Sequence, residues 1–271
     1  MKKLVHLREG GIDYFQSPLL LKQGIKHGFS TRRGGVSRGI YATLNTGLTT
    51  GDEISRVKEN RQKFLSLWGL SLEKAVAGLS VHGVRVTPVS SADKGRGQEL
   101  GDGVPDTDGL ITNERELALT VHSADCQMIL IFDPWRKIIG VAHAGWRGLL
   151  LGMGTVIIKK MEEYYGTNPE HVTAVVGPSI CVDCFEVGVE VVQYFRFRRQ
   201  YRTPLVFNSP TRGSYYIDLR GIIREQLQEA GVTEDKLSIS TLCTKEHPAW
   251  FYSHRRDGSR TGRMMGFISM E

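Results

Sequence analysis

Apolar residues recur along the chain with two different periods, and these divide it into elements. Over 54–69, Val57, Phe64, Leu65 and Trp68 fall at helical spacing and Gly69 offers a stop, which predicts a helix. Over 75–89 the pattern reads as one or two strands containing His82. Residues 116–122 are apolar and β-prone, and 126–132 (Cys-Gln-Met-Ile-Leu-Ile-Phe) form a strand core. Asp133-Pro134-Trp135-Arg136 has turn chemistry, with proline where a type I turn favours it. A second strand over 137–143 follows, and the segment from Gly145 to Gly148 breaks it. Further helices are predicted at 149–165, 187–198 and 220–230, and strands at 174–177, 215–219 and 236–242. The polar stretch 34–51 reads as a long ordered loop, and the Gly- and Asp-rich stretch 93–108 as a flexible excursion. Strands and helices interleave without a linker or a repeat. The expected fold class is therefore α+β with mixed sheets, in one domain over residues 1–271.

The hairpin carries a geometric expectation. A turn centred on Pro134 and Trp135 would set Phe132 opposite Lys137, Leu130 opposite Ile139 and Cys126 opposite His143. Directly opposed residues have Cβ atoms about 4.5–5.5 Å apart on one face of the sheet. A thiolate and an imidazole at that separation can share a metal ion, act as a nucleophile–base pair, or simply pack. A third ligand would decide for metal. His82, followed by a glycine that leaves room around the imidazole, is the candidate.

Composition narrows the class only slightly. Charged residues make up 24% and the apolar set 40%, as in an ordinary globular protein. The net charge of +6 mildly favours an anionic partner. The basic residues are scattered, with short clusters at 195–202 and 255–263, and no nucleic-acid-binding motif appears. No stretch approaches the ~20 apolar residues of a membrane span, and residues 1–7 are too short and too charged for the apolar part of a signal peptide. A cytoplasmic protein with reduced thiols is expected, binding neither nucleic acid nor membrane. Cys181 and Cys184 have C-x-x-C spacing but lack a second such pair, so packing is the reading adopted for them.

At the hairpin the sequence becomes recognisable. Ser123-Ala124-Asp125-Cys126, followed by Ala142-His143-Ala144-Gly145-Trp146-Arg147-Gly148, resembles the YfiH family, also called laccase-domain or polyphenol-oxidase-like proteins. Leu44-Asn45-Thr46-Gly47, Glu59-Asn60-Arg61, Val81-His82-Gly83 and Thr107-Asp108-Gly109 extend the resemblance. So do Cys184-Phe185-Glu186-Val187-Gly188, Ser253-His254-Arg255-Arg256-Asp257-Gly258 and Thr261-Gly262-Arg263. The resemblance implies mixed sheets sandwiched between helices (layered α/β/β/α). It also implies a His-Cys-His metal site, which maps onto His82, Cys126 and His143. The activity implied is purine nucleoside phosphorylase, on adenosine, inosine or methylthioadenosine, with adenosine deaminase activity in the same site. An older label for the family was copper-dependent polyphenol oxidase. Two positions depart from the family pattern: Ser80 stands where glutamine is usual, and His122-Ser123 replace a small or apolar residue followed by threonine.

Two imidazoles and a thiolate suit zinc, and three protein ligands leave the open position of a catalytic site. Copper is a possible occupant in vitro. Phosphorolysis also needs an anion pocket, where arginine matches phosphate geometry. Arg61 and Arg147 are the candidates, Arg147 because it stands at an expected helix start. Asn45 is a candidate polar group of the pocket, and Asp125 a candidate support behind the metal ligands. Three other readings stay open: a copper-dependent phenol oxidase, a Cys–His hydrolase built on Cys126 and His143, and a binding protein stabilised by zinc. Eight dispersed histidines give little material for a multicopper cluster.

Overall fold

The computed structural model describes residues 3–197, 206–210 and 213–271. The last residue of the helix expected over 187–198 and most of the basic cluster at 195–202 lie outside them.

Among the described residues, fifteen strands form three sheets. In chain order they are β1 (Val5–Glu9), β2 (Ile12–Gln16), β3 (Lys26–Ser30), β4 (Ala75–Ala77), β5 (Val86–Pro88), β6 (Gly109–Thr112), β7 (Ala118–Ser123) and β8 (Gln127–Asp133). They continue with β9 (Ile138–Ala144), β10 (Thr173–Val176), β11 (Glu186–Gly188), β12 (Val206–Asn208), β13 (Ser214–Ile217), β14 (Leu237–Ile239) and β15 (Met264–Ser269). One six-stranded sheet has the order β1-β2-β3-β15-β7-β4, the other β14-β10-β8-β9-β6-β5, and β11-β13-β12 form a small third sheet. Both large sheets are mixed: β4 runs parallel to β7, and β10 parallel to β14, among antiparallel neighbours. The helices among the described residues are α1 (Pro18–Leu21), α2 (Ile54–Ser66), α3 (Trp146–Leu150), α4 (Met153–Tyr165), α5 (Val189–Phe197), α6 (Leu219–Glu229) and α7 (His254–Asp257).

The period of two along β8 explains why the sheets stack. Met128, Leu130 and Phe132 point into a core shared with Phe29, Leu119, Val121 and Ile268 of the first sheet. Ile129 and Ile131 point the other way, against helices α4 (Met153–Tyr165) and α6 (Leu219–Glu229) through Ile157, Ile158, Ile222 and Ile223. The outer face of the first sheet carries Ala118, Met265 and Phe267, which pack on Phe64 and Leu65 of α2 (Ile54–Ser66). A strand apolar on both faces must be covered on both. The result is the α/β/β/α layering that the resemblance implies.

Several expected elements shift. His82 lies in the loop between β4 and β5 rather than in a strand, at φ +59°. The helix expected at 149–165 is two helices, α3 (Trp146–Leu150) and α4, because Gly152 takes φ +88° between them. The hairpin turn is not centred on Pro134 and Trp135. The Asp133 carboxylate accepts the N–H groups of Trp135 (2.9 Å) and Arg136 (3.1 Å), and Lys137 adopts φ +56°. This four-residue loop moves the register by two, so Met128, not Cys126, stands opposite His143. An even shift preserves the face. Cys126 therefore remains on the side of His143, one diagonal step away and just outside the strand.

One buried histidine ties the first sheet to pH. His27 on β3 is fully buried; its Nε2 accepts the Ser17 N–H (2.8 Å) and its Nδ1–H donates to Ile25 O (2.9 Å). Burial pushes it down to about 4. The unfolded chain therefore binds the extra proton more readily between pH 4 and 6.5. This contribution is complete above pH 6.5 and falls by roughly 3 kcal/mol as the pH drops to 4. Urea unfolding across that range should show the loss, and His27→Gln should flatten it.

Candidate metal centre

A cavity of about 700 Å³ opens at the end of the β8–β9 hairpin. His143, near the end of β9, and Cys126, just before β8, enter it from the second sheet. The chain crosses from β7 to β8 between Ser123 and Cys126. Asp125 makes that crossing at φ +91°, and Ser123 Oγ donates to Cys126 O (2.8 Å). His82 comes down from its loop. The ligand atoms of His82, Cys126 and His143 all lie within 4.8 Å of one another, and the two imidazoles meet edge to face at 4.8 Å.

One carboxylate arranges two of these three. Asp108 Oδ1 accepts His143 Nδ1–H (3.0 Å) and the His82 N–H (3.2 Å), while Oδ2 accepts the N–H groups of Val81 (3.1 Å) and Gly83 (2.8 Å). Burial would raise the Asp108 carboxyl, but these hydrogen bonds hold it below the usual range. Fixing Nδ1 leaves His143 Nε2 for the sulfur or a cation, as carboxylate partners of metal-binding histidines do. Burial opposes charge on both Cys126 and His143, yet each stabilises the other: the thiol falls to about 6 and the imidazole rises to about 9. A ready thiolate beside two imidazoles fits a borderline-soft dication such as zinc. Asp108 was inside a recognised motif, but its role needed the fold, because its partners lie more than twenty residues away on either side.

Gly145 makes room for the cluster. Its φ of −76° is open to any residue, but a Cβ there would sit 2.8 Å from His82 Nδ1 and 3.1 Å from Cys126 Sγ. Gly145→Ala should therefore cut metal occupancy at this centre while leaving the fold intact. Metal content and melting temperature of the purified variant check this; full occupancy would contradict it.

The other expected residues are distributed unevenly. Arg61 lines the cavity but is buried, with Nε donating to Thr46 O (2.7 Å) and Nη1 to Gly97 O (2.6 Å) and Gln98 Oε1 (3.1 Å). Burial lowers it to about 9. Arg147 is exposed at the rim, its guanidinium 4.3 Å above the Trp146 ring. Asn45 does not line the cavity: its amide oxygen accepts the N–H groups of Gly47 (3.0 Å) and Arg263 (2.8 Å) from behind the wall. Asp125 braces the chain, accepting from Thr244 Oγ1 (2.5 Å), Ser253 Oγ (3.1 Å) and the Arg255 N–H (2.7 Å). Arg263, to which no role was given from sequence, lines the cavity with its charge near Cys126 and Asp125.

His122 is not a fourth member of the cluster. An extended run would have given it the face of Cys126, but the chain changes sheets between them. His122 instead faces Arg61 and Thr46. Thr46 Oγ1 already donates to Arg263 O (2.8 Å), so the 3.1 Å contact has His122 Nδ1–H donating to Thr46 Oγ1. Its Nε2 is buried and unpartnered in the cavity wall. Burial, helped by Arg61, keeps the ring neutral.

Residues 26–271 match the family described as multi-copper polyphenol oxidoreductase laccase. Purine nucleoside phosphorylase YlmD of Bacillus subtilis is 37% identical over 245 residues, covering 90% of this chain and 88% of that protein. A protein named adenosine deaminase RL5, from an unknown prokaryote, is 32% identical over 239 residues, covering 87% and 90%. The crystal structure of YlmD from Geobacillus stearothermophilus superposes with a TM-score of 0.92 at 33% identity, covering 99% of each chain. With likeness of this extent in both sequence and fold, the chain belongs to the YfiH-like family of laccase-domain proteins.

Proposed function

We propose that residues 1–271 act as one catalytic unit, a zinc-dependent purine nucleoside phosphorylase. It cleaves the N-glycosidic bond of adenosine, inosine or methylthioadenosine with phosphate, and it deaminates adenosine at the same centre. The observation that carries this reading is the convergence of His82, Cys126 and His143 in the wall of a cavity large enough for a nucleoside. The names of the relatives supply the substrate class.

His82, Cys126 and His143 hold the metal, with Asp108 fixing the orientation of His143. Bound zinc supplies a Lewis acid, suited to activating water for deamination. In phosphorolysis a phosphate oxygen bonds to the ribose C1′ as the C1′–N bond breaks, and the base leaves with a proton. Arg263 brings positive charge to the inner wall and Arg147 to the rim, where phosphate enters. Arg61 has most of its donors committed to protein carbonyls and shapes the wall. His122, whose unpartnered Nε2 is closed off from solvent, shapes the wall beside Arg61.

The test is a panel of adenosine, inosine and methylthioadenosine, each with and without phosphate, followed by chromatography. Free base should appear only with phosphate, and inosine should form from adenosine without it. No turnover of any nucleoside would overturn the proposal. Oxidation of phenols dependent on added copper, with nucleosides untouched, would favour the oxidase reading that the family's description carries.

A further inference from the structure

Behind the wall formed by Ile180 and Phe185, two turns meet. In the first, Cys181 opens a single helical turn over Val182–Cys184, and the N–H groups of Cys184 (3.2 Å) and Phe185 (3.1 Å) both donate to Cys181 O. Cys181 and Cys184 thus project from one knuckle. The second turn carries Cys243 and Glu246, again three residues apart, with the His247 N–H donating to Cys243 O (3.2 Å). An isolated parallel bridge between Ser179 and Cys243 locks the turns together, with Ser179 N–H donating to Leu242 O (3.3 Å) and Thr244 N–H to Ser179 O (3.2 Å).

This brings the sulfurs of Cys181, Cys184 and Cys243 and a carboxylate oxygen of Glu246 within 4.8 Å of one another. Tetrahedral zinc with bonds near 2.3 Å sets sulfurs roughly 3.8 Å apart, so closure needs shifts of only about 1 Å. Simple packing explains buried thiols but not the carboxylate turned onto them, which accepts from Cys184 Sγ at 3.7 Å. The Cys181 N–H in turn points at Cys243 Sγ (3.4 Å), a contact that stabilises charge on sulfur. Arg220, anchored to the carbonyls of Ser179, Thr241 and Leu242, places a cation beside the group.

We propose that Cys181, Cys184, Cys243 and Glu246 form a second metal site, for a thiophilic divalent cation of the zinc class, separate from the centre at Cys126. Four protein ligands close the coordination shell, which makes the site structural rather than catalytic. Three thiol protons pass to solvent as the metal binds. The clamped loops also support the first centre: Ile180 N–H donates to Asp125 O (3.0 Å), and Thr244 Oγ1 to the Asp125 carboxylate, one residue before Cys126.

The experiment is reconstitution of the reduced, metal-free full chain with Zn2+ or Co2+, counting equivalents per chain. Wild type should bind two. Cys126→Ala should keep one, and its cobalt form should show intense thiolate-to-cobalt charge-transfer absorption. Cys181→Ser with Cys184→Ser should lose one equivalent and melt at lower temperature. Because that variant can fail to fold, the exposed Glu246 supplies a second arm. Glu246→Gln should weaken retention against a chelator by at least the 10–100-fold that loss of an outer partner causes. A Cys126→Ala protein that binds no metal would overturn the site, as would retention unaffected by Glu246→Gln.

Discussion

Cys126→Ala is expected to abolish nucleoside turnover and to weaken zinc binding at its own centre by two to three orders of magnitude. Zinc held by four ligands is worth about 10–16 kcal/mol. One ligand's share, about 3–4 kcal/mol, gives that range at 1.4 kcal/mol per decade. The loss should be chemical rather than structural. Cys126 is only partly buried and stands outside the strand, where alanine leaves the β8–β9 ladder untouched. Titration of the apoprotein with zinc in the presence of a competing chelator reads the affinity, and the melting temperature of the metal-free variant reads the fold. Turnover at the wild-type rate would remove Cys126 from the centre.

Asp108→Ala should cost nearly as much by a different route. His143 loses the partner that fixes its ring, which lowers metal affinity 10–100-fold. The N–H groups of Val81, His82 and Gly83 lose their acceptor as well, so the loop carrying His82 loosens. Removing one member of a buried charged pair costs about 3–5 kcal/mol, and the melting temperature should fall accordingly. Asp108→Asn keeps an acceptor for part of this set but not the charge, and should lie between the two. If Asp108→Ala bound zinc as tightly as wild type, the carboxylate would have no part in orienting His143.

The central strands and the long helices were legible in the sequence because burial marks them locally: β8 is an unbroken apolar run, as a strand covered on both faces must be, and α2 carries a helical stripe. β15 was missed because Gly266 interrupts its apolar run and an arginine-bearing loop leads into it, so it reads less clearly as a strand than β8 does. β1 was missed for a different reason, since its residues are mostly exposed. The hairpin register went astray because the side chain of Asp133 selects a longer loop than Pro134 suggests. The error spared the face relation between Cys126 and His143 only because it was even.

The site was legible in proportion to how local its causes are. That Cys126 and His143 share a face follows from the hairpin itself, although the structure does not set them directly opposite each other. His82 needed a resemblance, because its left-handed backbone is held by Asp108 from another part of the chain. Cys181 and Cys184 looked incomplete because their complement is not a second pair of cysteines. It is one cysteine and one glutamate from a loop brought alongside by a single β-bridge.

The most direct measurement follows ribose 1-phosphate in reactions of adenosine with phosphate, run side by side with zinc-loaded wild type and with Cys126→Ala. Expected is ribose 1-phosphate formed in step with adenine by the wild type, and none above background by the variant. Ribose 1-phosphate at equal rates from both proteins would contradict a centre built on His82, Cys126 and His143. Its absence from both would contradict the phosphorylase.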